Sequence, residues 1–314
     1  MSKKIAFLFP GQGSQAVGMG RALAEAFPVA RATFAEADEA LGFSLSSLCF
    51  DGPEDQLRLT EFTQPAIFTV SVAAGRVLAE HGITPALAAG HSLGEWSANC
   101  IAGTISFGDA VRAVRNRGRA MQEAVPAGQG TMAAILALDP ESIAAACAEA
   151  ATATGEVVAP ANDNSPGQIV ISGAVRAVEL AAELAKAKGA RKTVMLPVSA
   201  PFHCAMMMPA QERVAAELRT LTLNDPQFSI AANASARFVT TTDAARTALI
   251  EQVTGEVRWR ECVALLIAEQ TDLFIEVGPG KVLSGLMRQI DRSQTCLHVE
   301  DPESLAKTLA AINS

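Results

Sequence analysis

The sequence has no long hydrophobic run. None of its apolar stretches approaches the ~20 residues that a membrane-spanning helix needs. Nevertheless, 49% of the 314 residues are hydrophobic. The N-terminal residues lead directly into a strand-like pattern and then Pro10-Gly11, without the apolar segment and cleavage site of a signal peptide. We therefore expect buried strands and Ala-rich helices, a cytoplasmic location and no membrane partner.

The sequence also lacks paired cysteines and an excess of positive charge. Its six cysteines are scattered, and none has C-x-x-C spacing. This distribution argues against a zinc site and against a disulfide framework. The formal net charge of -8 argues against nucleic acid as a general partner. We expect no metal, no cofactor and no nucleic acid.

One short motif can carry chemistry: Gly90-His91-Ser92-Leu93-Gly94, a G-x-S-x-G run. A small-residue apolar segment precedes it, and a helix-compatible segment follows. A strand, sharp turn and helix in this order expose a serine hydroxyl at the carboxyl edge of a parallel sheet. Ser92 is therefore a candidate nucleophile, and an ordinary Gly/Ser-rich turn is the alternative.

Strand and helix patterns alternate along most of the chain, which predicts an α/β fold with a mostly parallel sheet and helices on both faces. From about Gly130 the predicted order changes to β-α-β-β-α-β, which is typical of a ferredoxin-like unit. We expect residues 127–198 to form this small inserted domain. Residues 1–126 and 199–314 form the large domain.

Three local patterns predict further details of the fold. Thr63-Gln64-Pro65 predicts the start of a long helix, with a Thr cap and Pro in the first turn, and His81-Gly82 predicts its end. The run from Asn162 to Gly167 predicts a loop between two strands. On the helix that begins near Ser106, Arg117 lies out of step with the arginines of the predicted solvated face.

A serine nucleophile needs a base, and the sequence offers four histidines. His91 adjoins the serine and should point elsewhere, while His81 fits a helix cap and His298 a late strand. His203 remains, in an irregular Ser/Pro segment just after the inserted unit. By elimination, His203 is the predicted base. No Asp or Glu stands out as a third member, so a backbone carbonyl is an alternative partner for the imidazole.

An acyl-enzyme mechanism also needs two donors to a developing oxyanion. The N–H of Leu93, the residue after the nucleophile, is one expected donor. Gln12 lies in the Gly-rich loop after the first predicted strand, at the same expected sheet edge. That loop lacks the Lys-Ser/Thr pair of a phosphate-binding loop. We therefore interpret Gln12 as a candidate oxyanion donor.

Several motifs in order resemble the malonyl-CoA:acyl carrier protein transacylases of bacterial fatty acid synthesis and the acyltransferase domains of polyketide synthases. The resemblance covers essentially the whole chain. The motifs are Phe9-Pro10-Gly11-Gln12-Gly13-Ser14-Gln15, Thr63-Gln64-Pro65-Ala66, Gly90-His91-Ser92-Leu93-Gly94-Glu95, Asn164-Ser165-Pro166-Gly167-Gln168 and Gly278-Pro279-Gly280.

The resemblance implies an α/β-hydrolase-like large domain with a ferredoxin-like small domain. It also implies ping-pong transfer of malonyl from malonyl-CoA to the phosphopantetheine thiol of acyl carrier protein, for fatty acid or polyketide synthesis. Ser92 would be malonylated, and His203 would act as general acid and base. Gln12 and Leu93 match the oxyanion-hole positions.

The remaining implied roles concern selectivity and orientation. Arg117 matches the arginine that holds the malonyl carboxylate, and Gln252 matches the residue whose backbone carbonyl orients the histidine. Phe202 before the histidine and Leu93 after the serine resemble malonyl-selective members. Trp96 departs from the family, in which a smaller aromatic, Tyr, is common there; we expect little effect on function.

Acyl carrier protein is strongly acidic in the resembling systems, so a net negative enzyme needs a local basic patch for docking. Two candidate patches are Lys186, Lys188, Arg191 and Lys192, or Arg288 and Arg292. Two alternative functions remain open. A serine esterase or thioesterase shares the serine motif but transfers the acyl group to water. A non-catalytic carrier-binding module shares the partner but forms no acyl-enzyme.

Overall fold

A computed structural model describes residues 3–198 and 200–313. Within these residues the chain forms two separate sheets, one of six strands and one of four. Three residues of the predicted domain limits, Met1, Ser199 and Ser314, lie outside the described residues. No helix in the described part of the chain has both the length and the apolar character needed to cross a membrane.

The six-stranded sheet has the order β10-β9-β1-β2-β7-β8, and all its pairs are parallel except β7 with β8. Its strands are β1 (Ile5–Phe9), β2 (Leu87–Gly90), β7 (Ser229–Ala231), β8 (Phe238–Val239), β9 (Leu273–Val277) and β10 (Cys296–Val299). Alternate residues of β1 belong to different cores: Phe7 and Phe9 to one, Ala6 and Leu8 to the other. The sheet is therefore buried on both faces, which explains the continuous apolar run in β1.

Helices before, between and after these strands supply the two cores. They are α1 (Arg21–Ala26), α2 (Pro28–Leu41), α3 (Leu45–Asp51), α4 (Glu54–Leu57), α5 (Thr60–Glu80), α6 (Leu93–Ile101), α7 (Phe107–Glu123), α10 (Met208–Thr220), α11 (Thr242–Glu251), α12 (Trp259–Ala268), α13 (Val282–Ile290) and α14 (Pro302–Asn313). A short 3₁₀ turn, Ala205–Met207, precedes α10.

The four-stranded sheet is antiparallel, with the order β4-β5-β3-β6. Its elements are β3 (Gly130–Leu136), α8 (Pro140–Thr154), β4 (Val158–Ser165), β5 (Gln168–Ala174), α9 (Val175–Ala187) and β6 (Lys192–Met195). Residues of α8 and α9 pack on it around a core of its own. This β-α-β-β-α-β unit and the mostly parallel larger sheet confirm the predicted fold class.

Two local predictions are wrong. Helix α5 begins at Thr60, so Pro65 lies inside it, and the Thr63 hydroxyl donates to the Leu57 carbonyl instead of capping the helix. Because Pro is favoured in a first turn, the Pro65 signal predicts an N-terminus later than the observed one. In a longer helix, Pro65 is tolerated at the cost of one backbone hydrogen bond.

The predicted loop from Asn162 to Gly167 is also wrong in part, because β4 continues to Ser165 before the turn at Pro166-Gly167. Its four polar side chains, from Asn162 to Ser165, are buried, and those of Asp163, Asn164 and Ser165 pair with residues distant in sequence. Asp163 accepts hydrogen bonds from Arg260 of α12, and its backbone N–H donates to the Val257 carbonyl at 3.0 Å. Satisfied polar groups therefore allow a strand where composition predicts a loop.

Candidate active site

Ser92 occupies a strained turn between β2 and α6. Its backbone has φ 49° and ψ -105°, a conformation that residues other than glycine rarely adopt. A Cβ on Gly90 would lie 1.9 Å from the Gly94 carbonyl carbon, and one on Gly94 would lie 2.0 Å from the Phe9 carbonyl oxygen. Both glycines are therefore needed for the close approach that exposes Ser92, as in a nucleophile elbow.

The His203 imidazole lies against the Ser92 hydroxyl. Its Nε2 is 2.8 Å from Ser92 Oγ, and its Nδ1 is 2.9 Å from the Gln252 carbonyl oxygen. An Nδ1–H that donates to this carbonyl leaves Nε2 free to accept the serine proton. Burial, reinforced by the charge of Arg117, lowers the pKa of His203 to about 3. At neutral pH the imidazole is therefore an uncharged base, and a carbonyl stands where many such sites have an acid.

The Arg117 guanidinium lies beside the same hydroxyl, although α7 places its side chain in the interior, 1% exposed. Nη2 donates to Ser92 Oγ at 3.1 Å and to Gln252 Oε1 at 2.9 Å, and Nη1 donates to Gln64 Oε1 at 2.7 Å. Burial lowers the pKa of Arg117 to about 10, while Glu95 partly opposes this shift. The group therefore stays cationic at neutral pH.

The predicted donors to an oxyanion line one cavity with the nucleophile. This cavity of about 130 Å³ is lined by Gln12, Gln64, His91, Ser92, Leu93, Met121, Met132, Asn162, Leu196, Val198, Phe202 and His203. Leu93 is the first residue of α6, so its N–H has no intrahelical partner. Gln12 is exposed in the loop after β1. An acyl oxygen in this cavity lies at a positive helix end.

A second cavity of about 230 Å³ shares four lining residues with the first, namely Gln12, His91, Asn162 and Leu196. The loop after β1, strand β4 and helix α13 supply most of the rest of its lining. The cavity beside Ser92 is therefore small, and the adjoining cavity leaves room for a longer ligand.

The structure brings together all seven sequence-predicted site residues. Five of them line the cavity: Gln12, Ser92, Leu93, Phe202 and His203. Arg117 and Gln252 lie behind the cavity wall and reach Ser92 through hydrogen bonds. His81 lies elsewhere, where its Nδ1 is 2.8 Å from the Val77 carbonyl oxygen, in keeping with the predicted cap.

Sequence reasoning missed three polar residues of the site. Asn233, just after β7, accepts the Ser92 N–H at 2.7 Å and donates to the Gly90 carbonyl at 2.8 Å. Glu95 and Gln64 are buried behind the site. A signal for Asn233 was its position at the carboxyl end of a strand, where site residues of parallel sheets collect.

His91 connects the elbow to the small sheet. Its Nε2 is 2.8 Å from Asn164 Oδ1 on β4, and burial lowers its pKa. The ring therefore points away from the serine hydroxyl, as its place in the turn predicts. Because strands β3 and β4 of the small sheet and the loops after β1 and β2 both line the cavity, its shape depends on how the small unit packs against the larger one.

The comparisons with known proteins agree with one another. The acyl transferase domain family matches residues 6–305. A malonyl CoA-acyl carrier protein transacylase of Escherichia coli is 48% identical over 98% of this chain and 99% of its own length. An acyl carrier protein S-malonyltransferase of Vibrio cholerae has a similar structure, with a TM-score of 0.95, 48% identity and coverage of 97% of this chain and 99% of that chain.

A further similar structure contains a partner. It is a malonyl-transacylase in complex with its type II PKS acyl-carrier protein, with a TM-score of 0.95 and 45% identity, covering 98% of this chain and 99% of that chain. The similarity to these structures therefore extends over nearly the whole chain and includes both sheets.

Proposed function

The chain belongs to the acyl transferase domain family, and on that premise we propose that it transfers malonyl from malonyl-CoA to the thiol of an acyl carrier protein through a malonyl ester on Ser92. The observation that supports malonyl as the transferred acyl group is the position of Arg117. Its guanidinium is buried and lies 3.1 Å from Ser92 Oγ. A planar cation there can bind a carboxylate that follows the reacting carbonyl by one carbon.

In the first half-reaction, Ser92 Oγ attacks the thioester carbonyl while His203 Nε2 takes the hydroxyl proton. The oxygen that gains negative charge is stabilised by the N–H of Leu93 and by Gln12. Collapse of the tetrahedral intermediate breaks the C–S bond, and the proton on His203 passes to the departing coenzyme A sulfur. The Gln252 carbonyl keeps the imidazole in the required tautomer throughout.

In the second half-reaction, the carrier's phosphopantetheine thiol gives its proton to His203 Nε2, and its sulfur attacks the ester carbonyl. The Ser92–acyl bond breaks and Ser92 Oγ recovers the proton. Phe202 and the neighbouring apolar side chains limit the space around the ester. The same donors serve both steps, because both pass through an oxyanion at one position.

The proposal includes the division of the chain and its location. Residues 1–126 and 199–314 form an α/β-hydrolase-like large domain, and residues 127–198 form the small domain. The separate core of the four-stranded sheet supports this division. Action in the cytoplasm follows from a role beside carrier proteins of fatty acid synthesis.

Intact-protein mass spectrometry after exposure to malonyl-CoA tests the proposal. We expect a single malonyl adduct that is absent from Ser92→Ala and that holo-acyl carrier protein discharges. An adduct that water removes as fast as the carrier does would identify a thioesterase instead. Wild-type protein that acquires no adduct would overturn the proposal and favour a non-catalytic carrier-binding module.

A further inference from the structure

A buried carboxylate that the mechanism does not use lies directly beneath the serine turn. Glu95 is in the first turn of α6 and is 1% exposed. Its Oε2 accepts a hydrogen bond from the Gln252 side-chain Nε2 at 2.7 Å and another from the Asn233 backbone N–H at 3.0 Å. A charged acceptor forms stronger hydrogen bonds than a neutral one, so these two residues are held firmly.

Gln252 forms hydrogen bonds with Ser92, Arg117 and His203. Its Nε2 donates to the Ser92 carbonyl at 2.9 Å, its Oε1 accepts from Arg117 at 2.9 Å, and its own carbonyl accepts from His203 Nδ1. A shift of the Gln252 side chain therefore moves the nucleophile and the guanidinium. The second residue held by Glu95, Asn233, fixes the same turn through the Ser92 N–H.

We propose that Glu95 is a positioning residue whose buried carboxylate, through Gln252 and Asn233, fixes Ser92, Arg117 and His203 relative to one another. This inference rests on the function proposed for the same site. The carboxylate touches neither substrate nor reacting atoms. Its contribution is to keep the turn and the guanidinium in the geometry that the acylation step requires.

The surroundings of Glu95 make its charge sensitive to pH. The groups that interact with it electrostatically are Arg117 of α7 and the Cys262 thiol of α12, whose own pKa burial raises, so the thiol is neutral. Burial raises the pKa of Glu95 to about 7, although its hydrogen-bond donors and Arg117 oppose the shift. The charged form that holds Gln252 most strongly is therefore lost as pH falls through about 7.

The test measures malonylation of Ser92 in single turnovers as a function of pH. For Glu95→Ala we expect a loss of ~100-fold, the effect of misplacing reacting groups by about 1 Å. Glu95→Gln keeps the shape and a neutral acceptor, so it should recover part of the rate. The acid limb with an apparent pKa near 7 should be present in the wild type and absent from Glu95→Gln. His203, with its much lower pKa, would not give this limb.

Glu276 provides a matched control. It is a second fully buried carboxylate, in β9, and it accepts hydrogen bonds from Leu283 and Ser284 at the start of α13, outside the catalytic residues. At saturating malonyl-CoA, Glu276→Gln should lower Tm without changing the malonylation rate or its pH profile. If Glu95→Gln behaves as this control does, Glu95 is only structural and the proposal is overturned.

Two further measurements keep the test decisive. If Glu95→Ala does not fold, Gln252→Asn serves in its place, because it retains the carbonyl that orients His203 while withdrawing the amide from Ser92 and Arg117. A sulfonyl fluoride that modifies serine reports the reactivity of Ser92 without any malonyl donor. A slower reaction with this probe in the variants supports positioning even if the malonyl donor is wrong, and an unchanged reaction contradicts it.

Discussion

At the scale of single residues, the site combines an uncharged base and a cation around one hydroxyl at neutral pH. His203 and Arg117 both lie within hydrogen-bond distance of Ser92 Oγ, at 2.8 Å and 3.1 Å. The cation helps to keep the base neutral, because it lowers the pKa of His203. The carboxylate of an acyl group that binds Arg117 would relieve the desolvation of the guanidinium, whose Nε has no partner within the described residues.

The first prediction concerns Arg117→Ala. We expect kcat/KM with malonyl-CoA to fall by about 100-fold or more, since loss of charged hydrogen bonds costs ~3 kcal/mol. Activity with acetyl-CoA should rise relative to malonyl-CoA, because acetyl has no carboxylate to bind. Steady-state transfer to a carrier protein, measured with both donors, checks this.

Arg112→Ala is the matched control for that substitution. Arg112 lies on the same helix in an exposed ion pair with Asp109, and such pairs contribute only ~0.5 kcal/mol to stability. The control should transfer malonyl as the wild type does. Malonyl transfer at the wild-type rate in Arg117→Ala would contradict the assigned role.

At the scale of elements, the elbow depends on how closely α6 approaches β1 and β2. Gly94→Ala would place a Cβ 2.0 Å from the Phe9 carbonyl oxygen, so the backbone must move. We predict a loss of about 3 kcal/mol or more in the free energy of unfolding, as in severe overpacking. Ser92 acylation should fall further than the lost folded fraction explains. Urea unfolding together with acylation rates normalised to folded protein would measure both effects.

Gly285 offers the opposite case in a second helix. It lies inside α13, and an added Cβ would meet no heavy atom within 4 Å. Gly285→Ala should therefore stabilise the protein by about 1 kcal/mol, the difference in helix propensity, and leave acylation unchanged. Equal effects of the two substitutions would show that packing at the elbow is not the cause.

Elements were predictable where a local pattern determines them. The buried strands, the elbow and the start of α7 near Ser106 follow from periodicity, glycine spacing and local helix-start signals. The polar second half of strand β4 did not follow, because Asp163 and Asn164 are stabilised by partners distant in sequence, Arg260 and His91. Asn233 was missed for the same reason: its role depends on β7 lying beside β2, and local sequence does not encode that neighbour.

Some site residues could likewise be predicted from the sequence by chemical reasoning, and others could not. Ser92 and His203 could be inferred from the chemistry that a serine nucleophile demands, whereas Gln252 and the selectivity role of Arg117 came from the family resemblance. Glu95 ends the motif Gly90-His91-Ser92-Leu93-Gly94-Glu95, but the motif alone assigns it no role. Its function is visible only when Gln252 and Asn233 are seen on the same carboxylate oxygen.

At the scale of the whole molecule, the distribution of charge and the position of the cavities indicate where a carrier protein can dock. The two predicted basic patches include Lys192 on β6 and Arg288 on α13, and both of these elements lead to residues that line a cavity. Strand β6 leads into Leu196, which lines both cavities, and α13 supplies Val282, Leu283 and Leu286 to the second cavity. In the first patch, Lys188 forms an ion pair with Glu149 at 2.7 Å, whereas Lys192 is exposed. Arg288 of the second patch is also exposed.

The last prediction tests these patches by charge reversal. Because the molecule has a net charge of -8, an acidic carrier is repelled at long range and must be attracted by local positive charge. Lys192→Glu or Arg288→Glu should raise KM for the carrier protein and leave KM for malonyl-CoA unchanged. The effect should weaken as salt rises, since the Debye length shortens to ~3 Å at 1 M. Lys307→Glu on α14, which lines neither cavity, is the control. Unchanged carrier kinetics in a variant would exclude its patch as the docking surface.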